Sequence, residues 1–257
     1  MNYSELYIAF HTIVYKEIRR FMRIWMQTLL PPAITIGLYF VIFGQLIGSR
    51  IGQMGGFTYM EYVVPGLIMM SVITNSYSNV VSSFYSMKFQ HSVEELLVSP
   101  VPNFIILSGF VIGGVARGVA VGLIVTLMSL FFTQLHIYDV GITLSIVILT
   151  SILFSLGGFI NAIFANSFDD ISIIPTFILT PLIYLGGVFY SIDLLSDFWR
   201  GVSLVNPILY MVNTFRYGIL GVSDIDITWA LTMITLFTVV LFIYSLHLLN
   251  IGKGLRQ

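Results

Sequence analysis

Residues 104–133, FIILSGFVIGGVARGVAVGLIVTLMSLFFT, carry a single charge, Arg117, in an otherwise apolar run. A helix rises 1.5 Å per residue and the hydrocarbon core of a bilayer is about 30 Å thick, so about 20 apolar residues cross it. The run exceeds that length, and Pro100 and Pro102 just before it stop the helix from extending backwards. It reads as a membrane-spanning helix. The rest of the chain agrees, since 57% of its 257 residues are hydrophobic and only 9% are charged, against about 25% charged in soluble domains.

Outward from this run, five more charge-free stretches of sufficient length occur at 24–49, 62–87, 140–168, 171–190 and 227–250. The expected fold is a single all-α polytopic domain over 1–257, with six transmembrane helices and both termini on one side of the bilayer. Lysine and arginine resist translocation, so their placement chooses the side. Lys16, Arg19, Arg20, Arg23, Lys88, Lys253 and Arg256 fall on the termini and even-numbered connections, against Arg50, Arg200 and Arg216 opposite. Both termini are therefore expected in the cytoplasm. The first apolar run begins after residue 23 and lacks a small-residue cleavage site, so it is expected to stay as a span rather than leave as a signal peptide.

Composition also excludes chemistries. A formal net charge of −1 supplies no basic field for nucleic acid. There is no cysteine, and His11, His91, His136 and His247 show no metal-ligand spacing. No phosphate-binding GxxxxGK[ST] loop surrounds Lys16, Lys88 or Lys253, so the chain is not expected to be its own P-loop ATPase, and no cofactor or metal is expected in it. Glu61, Asp139, Asp169 and Asp170 sit at span edges, which leaves no visible proton or sodium relay, and no His or Ser with a plausible base lies at depth for an intramembrane enzyme.

Segments outside the spans carry their own signals. Residues 1–23 place Tyr3, Leu6, Tyr7, Phe10, Ile13, Val14, Ile18, Phe21 and Met22 on one stripe and Lys16, Arg19, Arg20 and Arg23 elsewhere, the pattern of an amphipathic interfacial helix that either anchors to anionic lipid or meets a partner. Within 84–102, Ser92 and Glu95 have capping-box spacing, and Pro100 and Pro102 end the short helix so started. Residues 191–220 are too long for a hairpin turn. The apolar 207–220 is too short to span, so the segment is expected to form a re-entrant outer helical hairpin, with Asn206 before a helix starting at Pro207. Arg216 would then snorkel outward or, preferably, pair with Asp193 or Asp197.

Polar residues at depth are the candidates for function. Ser71, Asn75, Ser78, Asn79 and Ser82 share one face of the second span, as lining of a wet cavity or as a helix contact. Thr176, Thr180 and Tyr184 share a face of the fifth, where Pro175, Pro181 and Gly186-Gly187 interrupt the helix as a pathway or a packing kink. Arg117 counts to near the midplane. The small residues Gly109, Gly113, Gly114, Gly118 and Gly122 around it favour close helix packing, with Arg117 bonded to a neighbour's carbonyls. Gly44, Gly48, Gly52 and Gly56 form a second ladder of that kind.

The loop VEELLVSPVP (93–102) before a glycine-rich span, and GGVFYSIDLL (186–195) leading into NPILYMVNTFRYG (206–218), resemble the type-2 ABC transporter permease family over essentially the whole chain. The resemblance implies a bacterial inner-membrane homodimer that works with two copies of a separate ATP-binding cassette ATPase subunit, which holds the ATP and Mg. It also implies an interfacial helix and a cytoplasmic coupling helix that touch the ATPase, and a substrate path between the second and fifth spans. On these terms Arg19, Arg20, Glu94 and Glu95 are expected at the ATPase contact, and Ser71, Asn75, Ser78, Asn79, Ser82, Thr176, Thr180 and Tyr184 around a cavity suited to an amphipathic or lipid-like substrate. Pro207 and Arg216 are expected at an outer gate. The expected function is a permease subunit exporting such a substrate by alternating access. The alternative is an ATP-independent channel or scaffold.

Overall fold

The computed structural model of the protein describes residues 2–252 and residue 254. Lys253 and Arg256, counted above with the cytoplasmic cations, lie outside the described residues. The fold is helical apart from one two-residue-per-strand hairpin. Among the described residues, four helices are long and apolar enough to cross a membrane: Trp25–Gly44, Asn103–Ser129, Val140–Phe164 and Ile227–Ile251.

Helix α1 (Tyr3–Arg23) opens the chain. A short α2 (Trp25–Thr28) and α3 (Leu30–Val41) follow, broken at Leu29 where Pro31 and Pro32 cannot donate to a preceding turn. The path continues through a π-helical turn (Ile42–Ile47) into α4 (Gly48–Ile51). Strands β1 (Gln53–Met54) and β2 (Phe57–Thr58) then pair antiparallel. The turn between them needs positive φ at Gly55 (60°) and Gly56 (85°), which a residue without Cβ adopts freely. The glycine ladder expected here is thus only half present: Gly44 packs on the Met60 side chain, while Gly52 and Gly56, both at positive φ, serve turns and would offer a Cβ no neighbour within 4 Å.

Helix α5 (Tyr59–Phe89) is the 31-residue axis of the molecule and is buried over most of its length. Its start is a capping box formed by Thr58 and Glu61, whose carboxylate accepts from the Thr58 N–H at 2.8 Å. The box expected at Ser92 and Glu95 does not form. Helix α6 (Ser92–Val98) is present, but His91 takes the preceding position in a left-handed conformation, so Ser92 is already helical. Its hydroxyl donates back to the Met87 carbonyl at 3.2 Å and closes α5 instead.

Helices α7 (Asn103–Ser129) and α8 (Val140–Phe164) flank α5, and both stop short of the expected 133 and 168. The core between the three holds Phe84, Phe110 and Phe159 with ring centroids 4.3–6.2 Å apart. Small residues set the spacing: a Cβ on Gly114 would meet Ser155 and Val80, and one on Gly122 would meet Val72. The fifth stretch is helical only over Asp170–Tyr184, as α9 (Asp170–Ile173), a π-helical turn (Ile174–Leu179) and α10 (Thr180–Tyr184). The interruption expected at Pro175 and Gly186-Gly187 is real, and the helix ends before 190. The Asp170 carboxylate accepts from the backbone N–H of Asn166 at 2.9 Å, and that bond, with help from Ser167, holds its pKa below the usual value. After a 3-10 turn (Ile192–Leu194) come α11 (Asp197–Val205), α12 (Pro207–Leu220) and α13 (Ile227–Ile251).

The connections sort to two ends. At one, the Lys88 ammonium donates to the carbonyls of Ile163 (2.6 Å) and Ala165 (2.7 Å) at the end of α8, and Asn103 donates to Asn250 (2.8 Å) near the end of α13. At the other, Tyr59 bonds the Phe189 carbonyl (3.1 Å), and the N–H groups of Tyr138 and Asp139 bond the last turn of α12 at 3.2 and 2.8 Å.

Candidate functional site

The polar face of α5 divides into two parts that the sequence does not separate. Asn75 and Asn79 are buried and each receives an arginine from another helix. Arg117 of α7 donates to Asn75 Oδ1 at 3.1 Å and approaches the Thr28 carbonyl at 3.5 Å. Arg20 of α1 donates to both the carbonyl and the Oδ1 of Asn79 at 2.8 Å. Beside them Glu17, fully buried, accepts from the Ser83 hydroxyl at 2.8 Å and lies 3.5 Å from Arg20. For these residues the helix-contact reading holds. Thr74, Ser78 and Ser82, at i, i+4 and i+8, remain half-exposed. Thr74 and Ser82 close their own hydroxyls on helix carbonyls at 2.9 and 2.7 Å, and Ser71 is buried with the same kind of bond at 3.0 Å.

The Arg117 guanidinium reaches toward Thr28, three residues into the first apolar helix, and the early turns of α7 run beside α1. Ile13 opposes Gly109 and Glu17 opposes Gly113 along that contact. The second half of α1 therefore packs on α7, and of the side chains expected on its apolar face, Tyr3, Tyr7 and Met22 stay exposed. A carboxylate is also buried in the packed structure, Glu17, on an amphipathic helix outside the apolar runs.

The opposite end is built around Arg216, which has no exposed surface. It pairs with neither Asp193 nor Asp197; Asp193 is taken by Arg200 at 3.1 Å. Instead its guanidinium donates to the carbonyls of Gly187 (2.6 Å) and Tyr62 (3.2 Å) and to Asn213 Oδ1 (3.3 Å), and lies 4.0 Å from the Tyr62 ring centre. The charge is balanced one step away by Asp224, whose carboxylate accepts from Tyr62, Ser191 and the Ile192 N–H at 3.0–3.3 Å. A planar, weakly hydrated cation suits such a cage. The start of α12 is as expected: Asn206 accepts from the Ile208 N–H at 3.0 Å ahead of Pro207, and its amide donates to the Leu182 carbonyl at 2.6 Å. Tyr62, Asn213 and Asp224 carry no sequence signal for this role.

In the fifth helical stretch Thr176 and Tyr184 are exposed and Thr180 bonds the Pro175 carbonyl at 2.9 Å. Tyr184 stacks loosely on Phe189, 5.7 Å between ring centres. Among the described residues no hydrogen bond joins these side chains to the Thr74–Ser82 stripe.

At the end that holds α6, Glu94 and Glu95 are exposed, and Val98 is 86% exposed on a helix otherwise half-buried. Arg19 is exposed too, whereas Arg20 is turned inward onto Asn79. A model of the ABC-2 type transporter family matches residues 8–220. The chain belongs to this family. It is similar to the inner membrane transport permease YadH of Escherichia coli (strain K12), with 55% identity over 251 residues and 98% of each chain covered. It is also similar to nodulation protein J of Neorhizobium galegae, 23% identical over 222 residues, covering 83% of this chain and 82% of that one.

Proposed function

We propose that the chain is the membrane-spanning subunit of an ATP-binding cassette exporter in a bacterial inner membrane. It crosses six times with both termini cytoplasmic, acts as a homodimer with two copies of a separate ATPase subunit, and moves an amphipathic or lipid-like substrate outward. The observation that carries this is α6: a short helix at the end of the bundle near the last helix's terminus, with both carboxylates and Val98 directed to solvent. An apolar side chain so exposed on a rigid element fits a partner's groove. The sorting of connections to two ends supports six alternating passes, and the absence of a phosphate-binding loop from the sequence calls for an ATPase in trans.

Replacing Glu94 and Glu95 together by alanine is expected to abolish copurification of the ATPase or to uncouple hydrolysis from transport, without lowering the permease's own thermal stability. If the complex forms and substrate still stimulates hydrolysis, α6 is not the contact, and the channel or scaffold reading takes its place.

The substrate face is proposed along Thr74, Ser78 and Ser82, faced across a dimer by Thr176, Thr180 and Tyr184, with Pro207 and Arg216 holding the outer hairpin that roofs it. The hydroxyls offer weak hydrogen bonding without charge, which suits a largely apolar cargo. Since the native chain has no cysteine, single cysteines can be introduced cleanly. Positions 74, 78 and 82 should react with water-soluble thiol reagents at least about tenfold faster than 75 and 79, which helix contacts bury. Equal rates at all five positions would remove the division of the stripe.

A further inference from the structure

The arginines that hold the inner part of α5 leave a charge unanswered. Around this cluster α1 contributes Glu17 and Arg20 and α7 contributes Arg117. Helix α5 has no charged residue between Glu61 and Lys88, and α3 and α8 have none at all. Two guanidiniums face one carboxylate, and that carboxylate pairs with Arg20 at 3.5 Å. No carboxylate lies within ion-pair distance of Arg117 among the described residues, and its Nε, although buried, makes no hydrogen bond there. A cation held in low dielectric without a counter-charge is costly, and elsewhere in this molecule the buried Arg216 is balanced by Asp224. At Arg117 the chain supplies no such balance.

A cleft of about 240 Å³ opens beside it, between α3 and α5. Its polar end is Asn75, Ser71 and Thr74, with Asn75 the acceptor of Arg117; its other walls are Pro31, Pro32, Ile36 and Met70 with Thr35 among them. Polar groups at one end, with Arg117 behind Asn75, and mostly apolar walls along the rest match a molecule built the same way. We propose that Arg117, with Arg20 and Asn75, binds the anionic headgroup of an amphiphile, a phosphate or carboxylate, whose chain lies in the α3–α5 cleft. Because the Arg117 guanidinium reaches Thr28 near the start of the first apolar helix, we place the site toward the leaflet on the side of α1. It deepens the exporter reading, on which it rests for calling the ligand a cargo, by assigning that cargo a negative charge and an entry from the cytoplasmic leaflet.

The test uses the full chain purified in a neutral detergent, without the ATPase, so its failure leaves the exporter reading standing. Thermal unfolding is followed with dioctanoyl phosphatidylglycerol, dioctanoyl phosphatidylcholine and inorganic phosphate. Phosphatidylglycerol is expected to raise Tm by at least about 2–4 °C at saturating excess, with no comparable rise from phosphatidylcholine. In Arg117→Gln the midpoint concentration for phosphatidylglycerol should rise by about tenfold or more, and Arg117→Lys should retain part of the affinity. Equal shifts from the two lipids in the wild-type protein would overturn the proposal even if Arg117→Gln does not fold. An unchanged response in Arg117→Gln would do the same. A full shift from inorganic phosphate alone would overturn the amphiphile and leave a free-anion site.

Discussion

Arg216→Met is expected to lose about 3–5 kcal/mol of stability, enough to leave little folded permease in a detergent extract. Methionine keeps much of the volume but none of the donors. The carbonyls of Tyr62 and Gly187 and the Oδ1 of Asn213 would lose their partner, and Asp224 would lose the cation that Tyr62 relays to it. Arg216→Lys should fall between, since one ammonium cannot reproduce a planar fork with three separate acceptors. The matched control is Arg200→Met. That arginine pairs with Asp193 at 3.1 Å on the surface, so its loss should cost under about 1 kcal/mol. Unfolding midpoints that coincide for the two methionine variants would show that the buried cage contributes nothing. This expectation replaces the gate reading in one respect: substitution at 216 should act on folding, before any effect on export with the assembly intact.

The adjacent glycines of α8 offer the second test. A Cβ at Gly158 would sit 2.5 Å from the Tyr77 carbonyl oxygen and 3.3 Å from the Val81 nitrogen, both backbone atoms of α5 that have nowhere to move. At Gly157 the nearest atoms are on the edge of the Tyr77 ring, 3.8 Å away, an ordinary contact. Gly158→Ala should therefore cost about 1–3 kcal/mol by forcing the two helices apart. Gly157→Ala should be neutral or stabilise by up to about 1 kcal/mol, because alanine orders a helix more cheaply than glycine. The separation would also disturb the Asn161–Tyr77 bond of 2.7 Å one turn further on. Thermal unfolding of the pair in the same detergent decides it, and a Gly158→Ala protein as stable as Gly157→Ala would mean that α5 and α8 are not in backbone contact.

These sites show how unevenly the sequence can be read. Asn206-Pro207 announced a helix start, and the structure has one there, because a cap is settled within four residues. The same Ser/Thr-x-x-Glu spacing at 58–61 and 92–95 gave opposite results, because the second copy follows a tight turn in which His91 takes the capping position at positive φ. Arg216 was assigned to acids near it in the chain. Its acceptors come from residues 62, 187 and 213, and two of them are backbone carbonyls, which carry no residue-type signature. Thr74 was missed although its i, i+4, i+8 spacing with Ser78 and Ser82 carries a signal, whereas Glu17 carries none, since nothing in an amphipathic helix says which polar side chain will be covered.

The apolar runs of α7, α8 and α13, the start of α12 at Pro207 and the family resemblance were written in the chain. A hydrocarbon slab imposes a one-dimensional rule: length, hydrophobicity and internal hydrogen bonding must hold within each segment, so each segment can be judged alone. Which face of α5 holds arginines and which stays open, how far Arg117 lies from the end of the first apolar helix, and what balances Arg216 were decided only by the packed structure. Those properties depend on how each helix is rotated about its axis and shifted along its neighbours. Contacts among small residues set both, and no single segment contains that information.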